Sequence, residues 1–297
     1  MNIRQGRFTL GLVFAGLLSA QLASADTVLA GPTTKPVAAA KTPLSPVVAK
    51  TAATPVSITV PALTPANNAK KPLRVLFIGN SYTFFNGGLG TAVKGLASAV
   101  KDGRPFEYVE VTKGGQTLEG HWNDGKALAA IRKGGWDFVV LQEHSLGALD
   151  RREKMFQYAK MFDAEIRKTG AETVFYETWG RKNRPEMYGV VEQAYVSLAS
   201  QLKAVVAPAG AAWSMALKSN PTLALHIADL SHPTPAGTYL NACVFYETFF
   251  GKSPEGLPRT IKNAAGKVLI DLSESEAALL QRTAKETCTR TTAPASN

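Results

Sequence analysis

A short, mostly apolar segment that runs directly into a Gly-Asn-Ser turn limits what this chain can fold into. Residues 73–78 read Leu-Arg-Val-Leu-Phe-Ile, the composition of a parallel strand that is buried on both faces. Gly79, Asn80 and Ser81 follow. A turn at this point lifts a side chain above the carboxyl end of a sheet, where open α/β folds bind their ligands. The segment therefore predicts an α/β fold with Ser81 at the ligand-binding edge.

The chain beyond this turn alternates between strand-like and helix-like segments. Further strands are predicted at 106–111, 138–141, 174–176 and 204–207, and helices at 89–100, 128–132, 150–168, 186–202, 235–250 and 274–287. Strands that alternate with helices predict a parallel sheet covered on both faces. We therefore predict a three-layer α/β/α sandwich of the flavodoxin-like type, with about five parallel strands in its central sheet.

The first 72 residues have a different composition from the rest. Residues 1–25 combine two arginines, an apolar run and an Ala23-Ser24-Ala25 cleavage site, a pattern typical of a secretory signal peptide, with an uncleaved N-terminal anchor as the alternative. Residues 26–72 contain eight of the 17 prolines and no aromatic residue, which predicts a disordered linker. This leaves residues 73–297 as one domain. We expect a periplasmic or secreted monomer without stable membrane insertion.

The basic character of the chain does not indicate a nucleic-acid partner. The net charge is +10, because 33 Lys and Arg residues outnumber 23 Asp and Glu residues. The first 72 residues account for +6 of that charge and leave +4 for the domain. The domain contains no run of basic residues and no nucleic-acid-binding motif. We therefore expect no binding to nucleic acid.

A second segment supplies the groups that a reactive serine needs. Asp229-Leu230-Ser231-His232 places an aspartate and a histidine three residues apart. A serine nucleophile needs a base to take its proton, and the base needs a partner to orient it. Ser81, His232 and Asp229 supply all three parts and predict a serine hydrolase. The alternatives are a helix-capping role for Ser81 and for Asp229, and an ordinary surface role for His232.

The sequence shows no pattern typical of a metal or cofactor site. No pair of histidines or cysteines and no cluster of carboxylates has the spacing of metal ligands. No glycine-rich nucleotide-binding loop occurs either. We therefore expect neither a metal nor a cofactor.

Cys243 and Cys288 are the only cysteines in the chain. In an oxidising compartment they can form one disulfide between the helix after His232 and the C-terminal helix. Two buried thiols are the alternative, because spacing alone does not fix the geometry of a disulfide.

The order of the motifs resembles that of the SGNH, or GDSL-like, hydrolase superfamily. In that family a Gly-Asp-Ser turn after the first strand carries the nucleophile, and a C-terminal Asp-x-x-His supplies the base and its partner. Gly79-Asn80-Ser81 matches the turn with Asn in place of Asp, and Asp229 and His232 match the second motif. The resemblance spans about residues 73–250. It implies an esterase whose catalytic residues are Ser81, Asp229 and His232.

The same resemblance assigns the oxyanion hole, with one departure. A glycine after the second strand and an asparagine after the third contribute to it in the family. Gly115 matches the glycine, so the backbone N–H groups of Ser81 and Gly115 are two predicted donors. The third strand ends in Leu141-Gln142-Glu143-His144 instead of Gly-x-Asn, which indicates a divergent branch. Gln142 keeps a carboxamide and is the predicted third donor, with His144 as the alternative.

The substrate follows from the resemblance and from the predicted export. Both imply a small acyl ester, above all an acetyl ester on a polysaccharide or cell-wall glycan, as the partner of the enzyme. Glu143, His144 and Trp179 are weaker candidates for substrate binding at the predicted strand ends. A lipid esterase, and a glycan-binding module that keeps the fold without efficient catalysis, are the alternative functions.

Overall fold

Five parallel strands form the centre of the computed structural model, which describes residues 71–101 and 103–292. The strands are β1 Leu73–Gly79, β2 Phe106–Thr112, β3 Phe138–Leu141, β4 Glu172–Tyr176 and β5 Val205–Ala207. They lie in the order β2-β1-β3-β4-β5. The predicted signal peptide, and the predicted linker up to residue 70, lie outside the described residues. The prediction of a flavodoxin-like sheet of about five parallel strands is confirmed.

Helices cover both faces of this sheet. They are α1 Ser81–Phe84, α2 Leu89–Ser98, α3 Leu118–Asp124, α4 Lys126–Lys133, α5 Gly147–Asp150, α6 Arg152–Arg167, α7 Met187–Leu202, α8 Ala209–Ser219, α9 Pro235–Phe250 and α10 Glu274–Thr292. Helices α2, α8, α9 and α10 pack with Val75 and Phe77 of β1 on one face. Helices α3 to α7 pack with Leu76 and Ile78 on the other. The alternation along β1 therefore produces the three layers that the sequence predicts.

The predictions did not include the short helices α1, α3 and α5, helix α8 or an antiparallel hairpin. Helix α8 begins directly after Pro208 without a side chain that caps its N-terminus, so the usual start signal is missing. An antiparallel hairpin, β6 Thr260–Lys262 and β7 Val268–Asp271, has strands of only three and four residues. Such strands are too short to show a clear alternation. Within the described residues, no helix is both long and apolar enough to cross a bilayer.

The two cysteines lie in the layer of α9 and α10. Cys243 and Cys288 are both buried, and no disulfide joins these two described residues. Burial raises the pKa of both thiols well above the usual range. The structure therefore favours two buried thiols over the predicted disulfide.

The register of the sheet brings three of the predicted site loops to one level. Gly79 at the end of β1 is paired with Thr112 at the end of β2, and Ile78 is paired with Leu141 at the end of β3. The loops that follow these strands begin next to one another because parallel strands end at the same edge of the sheet. These loops carry Ser81, Gly115 and Gln142.

Candidate active site

Ser81 is the first residue of α1, and Asn80 holds the turn before it. The Asn80 side-chain carbonyl accepts a hydrogen bond from the Tyr82 N–H at 3.1 Å. The Asn80 side-chain amide donates to the Gln116 carbonyl at 2.9 Å. A deprotonated aspartate could accept the first bond but could not donate the second. The asparagine that replaces the family's aspartate thus ties the nucleophile turn to the loop after β2.

The three predicted catalytic residues are joined by two hydrogen-bond contacts, with His232 between Ser81 and Asp229. Ser81 Oγ lies 2.7 Å from His232 Nε2. His232 Nδ1 lies 2.5 Å from Asp229 Oδ2. The other Asp229 oxygen accepts hydrogen bonds from the backbone N–H groups of Ser231 and His232, both at 2.9 Å. This is the order of contacts in which a histidine can take a proton from a serine and a carboxylate can orient the histidine.

Asp229 is a carboxylate over a wide pH range. Desolvation raises the pKa of this carboxyl, but hydrogen bonds from the His232 imidazole and from the N–H groups of His232 and Ser231 lower it to about 2. A carboxylate at this place holds the proton of His232 on Nδ1. Nε2 is then left as the acceptor for the Ser81 hydroxyl.

Aromatic rings on two sides fix the orientation of His232. Phe85 stacks on the imidazole with 4.6 Å between ring centroids and 20° between planes, and Tyr82 meets it edge-on at 5.5 Å. The Tyr82 hydroxyl also lies 2.7 Å from Ser231 Oγ. Leu230 adopts φ 63°, a left-handed conformation that costs a residue with a Cβ about 1–2 kcal/mol. The neighbouring contacts therefore hold the histidine loop in a conformation that it would not adopt alone.

Two backbone N–H groups are available for an oxyanion. In the described part of the chain, neither the Ser81 N–H nor the Gly115 N–H donates a hydrogen bond. Gly115 lies in an exposed turn after β2 with φ 66°, where glycine is strongly favoured. These are two of the three donors that the sequence assigns to the oxyanion hole.

The third predicted donor, Gln142, is occupied elsewhere. Its side chain is fully buried. Its carboxamide oxygen accepts hydrogen bonds from the Asn80 N–H at 2.8 Å and from the Thr83 hydroxyl at 3.0 Å. Its nitrogen donates to the Glu143 carbonyl at 2.5 Å. The geometry therefore favours a supporting role for Gln142 beneath the nucleophile turn over the predicted role as an oxyanion donor.

Two of the weaker substrate-binding candidates are also buried. Glu143 is 4% exposed and accepts hydrogen bonds from the N–H groups of Leu118 at 3.2 Å and His144 at 2.6 Å. Burial raises the pKa of the Glu143 carboxyl despite these bonds. Trp179 is fully buried and stacks between Tyr82 and another tryptophan at centroid distances of 4.3 and 4.1 Å. The geometry places both side chains in the core and leaves neither in reach of a substrate.

His144, the third of the weaker substrate-binding candidates, is half-buried and lies nearer the surface than the other two. Its Nδ1 accepts a hydrogen bond from the Leu146 N–H at 3.3 Å. Burial, and then the charges of Arg181 and Arg151, lower the pKa of its imidazole.

Within residues 71–101 and 103–292, no group of three or more His, Cys, Asp or Glu side chains is placed to hold a metal ion.

The sequence analysis did not single out the residues just after the nucleophile. Asn86 adopts φ 52°, and its side-chain amide donates to the Pro233 carbonyl at 2.9 Å and to the Thr238 hydroxyl at 2.8 Å. These bonds tie the nucleophile segment to the chain that follows His232. The available signal was the segment 82–86 directly after Ser81, which contains three aromatic residues and one asparagine. Phe85 and Asn86 are neighbours in it.

Similar solved structures support the interpretation of the fold. A candidate SGNH hydrolase from Slackia heliotrinireducens is 26% identical over 60% of this chain and 99% of its own, with a TM-score of 0.52. The fold is that of the SGNH hydrolase superfamily. The similar structures also include a DUF4886 family protein from Bacteroides uniformis, at 17% identity over 75% of this chain and 97% of its own, with a TM-score of 0.59.

An enzyme with a named activity is among the similar structures. A catalytic mutant of an acetylxylan esterase from Geobacillus stearothermophilus is 17% identical over 60% of this chain and 94% of its own, with a TM-score of 0.50. No protein-family model matches the chain, and no curated protein matches its sequence. The 26% identical SGNH hydrolase supports a hydrolase.

Proposed function

We propose that the protein is an exported serine esterase that hydrolyses small acyl esters, above all acetyl esters, on a carbohydrate or cell-wall glycan. One observation carries the proposal: the continuous contact from Ser81 Oγ through the His232 ring to the Asp229 carboxylate. Each contact in this series serves the proton transfer that activates a serine, so the series supports catalysis over a capping role for Ser81 and Asp229.

The reaction begins with the attack of Ser81 Oγ on the ester carbonyl. His232 Nε2 takes the hydroxyl proton, and Asp229 stabilises the imidazolium that results. The backbone N–H groups of Ser81 and Gly115 bind the oxygen that becomes negative in the tetrahedral intermediate. His232 then gives its proton to the leaving alcohol. Water repeats the same steps on the acyl-enzyme and releases the acid.

Phe85 contributes to the step in which His232 is charged. Its ring face lies against the imidazole at 4.6 Å. The face of an aromatic ring carries partial negative charge and attracts a cation. The contact is therefore stronger for the imidazolium than for neutral imidazole, which favours the transition state over the ground state.

The substrate class draws on the neighbours and on the N-terminal sequence. The acetylxylan esterase among the similar structures supports an acetyl ester of a carbohydrate, and the predicted signal peptide supports export. The assembled triad weighs against a glycan-binding module without catalysis. A lipid esterase is a less direct interpretation, since no observation at the site favours a long acyl chain.

The test is hydrolysis of p-nitrophenyl acetate by the wild type and by Ser81→Ala. We expect Ser81→Ala to lower kcat by about 10⁴-fold or more, with thermal stability near that of the wild type. A fluorophosphonate probe should label Ser81 and no other serine. The matched control is Ser98→Ala, since Ser98 is an exposed serine at the end of α2 and should keep full activity. Turnover retained by folded Ser81→Ala would refute the mechanism.

A further inference from the structure

Arg181, in the segment after β4, is a half-buried cation for which the described residues provide no acidic partner. Its Nε is buried without a hydrogen-bond partner. Its Nη2 makes one long contact, 3.4 Å to the hydroxyl of Ser145. Arg184, three residues further on, instead pairs with Glu186 at 2.9 Å. A buried donor that makes no hydrogen bond is unfavourable, so the arrangement at Arg181 calls for a partner that the described residues do not supply.

Arg181 lies next to the catalytic loop. On one side of it, the Gly180 carbonyl accepts a hydrogen bond from His226 Nε2 at 2.9 Å. On the other, the Lys182 N–H donates to the Leu230 carbonyl at 2.9 Å. Leu230 is the residue between Asp229 and Ser231. The backbone on both sides of Arg181 is thus fixed to the segment that carries the base and its carboxylate.

The side chain of Arg181 approaches the nucleophile turn from the same direction. Its contact residue, Ser145, is 6% exposed. Burial raises the pKa of the Tyr82 hydroxyl, while the side chains of Ser231 and Ser145 and the charge of Arg181 lower it. Tyr82 directly follows Ser81. The backbone contact between Lys182 and Leu230 and the effect of the Arg181 charge on Tyr82 together place the guanidinium at the edge of the reaction centre.

The charges around this edge are mainly positive. Exposed Lys113 precedes the Gly114-Gly115 turn, and exposed Lys182 follows Arg181. The nearest acid of the catalytic loop, Asp229, is bound to His232. Glu143 accepts two backbone hydrogen bonds in the core. A site with unpaired cations and engaged carboxylates attracts anionic ligands.

We propose that Arg181 binds a carboxylate of the substrate, so that the preferred esters are acetyl groups on an acidic, carboxylate-bearing sugar. The inference rests on the proposed esterase function. Nε and Nη2 form the edge of a guanidinium that binds a carboxylate through two parallel hydrogen bonds. Because Nε has no partner and Nη2 only a distant one, Arg181 loses little when it turns toward such an anion. The carboxylate belongs to a uronic acid or to the lactyl group of a muramic acid.

Matched substrates separate this role from general activity. The first pair is a mono-O-acetylated methyl glucuronoside and the methyl glucoside acetylated at the same position. The second pair is 6-O-acetylmuramic acid and its lactyl amide. For the wild type we expect kcat/KM to be about 10- to 100-fold higher for the carboxylate member of one pair, the range of a charge-assisted hydrogen bond. The pair that shows the preference identifies the source of the carboxylate.

Three variants decide whether Arg181 is responsible. Arg181→Gln should reduce the preference to about threefold or less, and Arg181→Lys should keep part of it, because Lys retains the charge without the paired donors. Arg184→Gln, at the arginine that already has a partner, should keep the wild-type ratio. Thermal melting shows whether each variant is folded. If Arg181→Gln does not fold, the test is the wild-type preference, which should fall as salt is raised from about 0.05 to 0.5 M.

A failure of this inference can be told from a failure of the proposed function. If the wild type hydrolyses both members of each pair equally, the esterase proposal stands and the role of Arg181 is refuted. If the wild type hydrolyses no ester, the esterase proposal fails. The role of Arg181 is then tested by calorimetric binding of unacetylated methyl glucuronoside and N-acetylmuramic acid against their neutral counterparts. Equal affinities in both pairs, or a preference that persists in Arg181→Gln, would overturn it.

Discussion

The two halves of the candidate site are built in different ways. In the half that holds the proposed triad, the groups assigned to catalysis are side chains, and they reach solvent: His232 is 27% exposed and Asp229 is 42% exposed. In the oxyanion half, the available donors are backbone N–H groups of Ser81 and Gly115, while the Gln142 side chain behind them is fully buried. A function performed by side chains is visible in residue types. A function performed by backbone depends on the conformation of two turns and on the side chains that support them.

The largest effect is expected in the triad half, at Asp229. Asp229→Asn should lower kcat for p-nitrophenyl acetate by about 10³–10⁴-fold. The asparagine oxygen can still accept the N–H bonds of the loop, but its amide donates toward Nδ1 and stabilises the wrong tautomer of His232. Asp150→Asn, at an exposed aspartate of α5, is the matched control and should keep full activity. A loss below about tenfold would make Asp229 a loop-capping residue only.

An intermediate effect is expected in the oxyanion half, at Gln142. Gln142→Ala removes the acceptor of the Asn80 N–H and the Thr83 hydroxyl and leaves a cavity. We expect the free energy of unfolding to fall by about 2–4 kcal/mol, with a loss of kcat that follows from the loosened turn. A direct oxyanion donor would instead lose about 10²–10³-fold in kcat with nearly unchanged stability.

Urea unfolding and kcat, measured on the same preparations, distinguish these two roles of Gln142. His144→Ala is the control, because the half-buried His144 supports a single backbone N–H at 3.3 Å and should change stability little. A stable Gln142→Ala with a large loss of kcat would restore the carboxamide as the third oxyanion donor. A large loss of kcat in His144→Ala alone would move that role to His144.

The sequence predicted the fold and the three residues whose contacts form the proposed triad. It could not predict how polar residues at a strand end are used. The apolar composition of β1 predicts a buried strand, and the spacing of Asp-x-x-His predicts a contact between the aspartate and the histidine. Gln142 shows only a carboxamide. In the structure its backbone still pairs with β1, because the Gln142 N–H donates to the Ile78 carbonyl at 2.9 Å. The side chain therefore continues the alternation of β3 and points to the face of Val140, beneath the nucleophile turn.

The smallest expected effect is the dependence of stability on pH. The contribution of Asp229, in the triad half, and that of Glu143, next to Gln142, should change in opposite directions as the pH rises. Asp229 has a pKa lowered from 3.8 to about 2 in the folded protein. Its contribution to stability is therefore complete above pH 3.8 and is lost as pH falls through about 2. Burial raises the pKa of Glu143 from its ordinary value of 4.5. Its contribution is present below pH 4.5 and is lost as pH rises through the higher folded-state value.

Urea unfolding at a series of pH values measures both contributions. The free energy of unfolding of the wild type minus that of Asp229→Asn should increase from pH 2 to pH 4, by less than about 1 kcal/mol because the side chain is 42% exposed. The free energy of unfolding of the wild type minus that of Glu143→Gln should decrease above pH 4.5. The glutamine also loses one backbone hydrogen bond, but that loss shifts the second difference by a constant and does not change its slope. If both differences in the free energy of unfolding changed in the same direction with pH, the predicted contrast between Asp229 and Glu143 would be wrong.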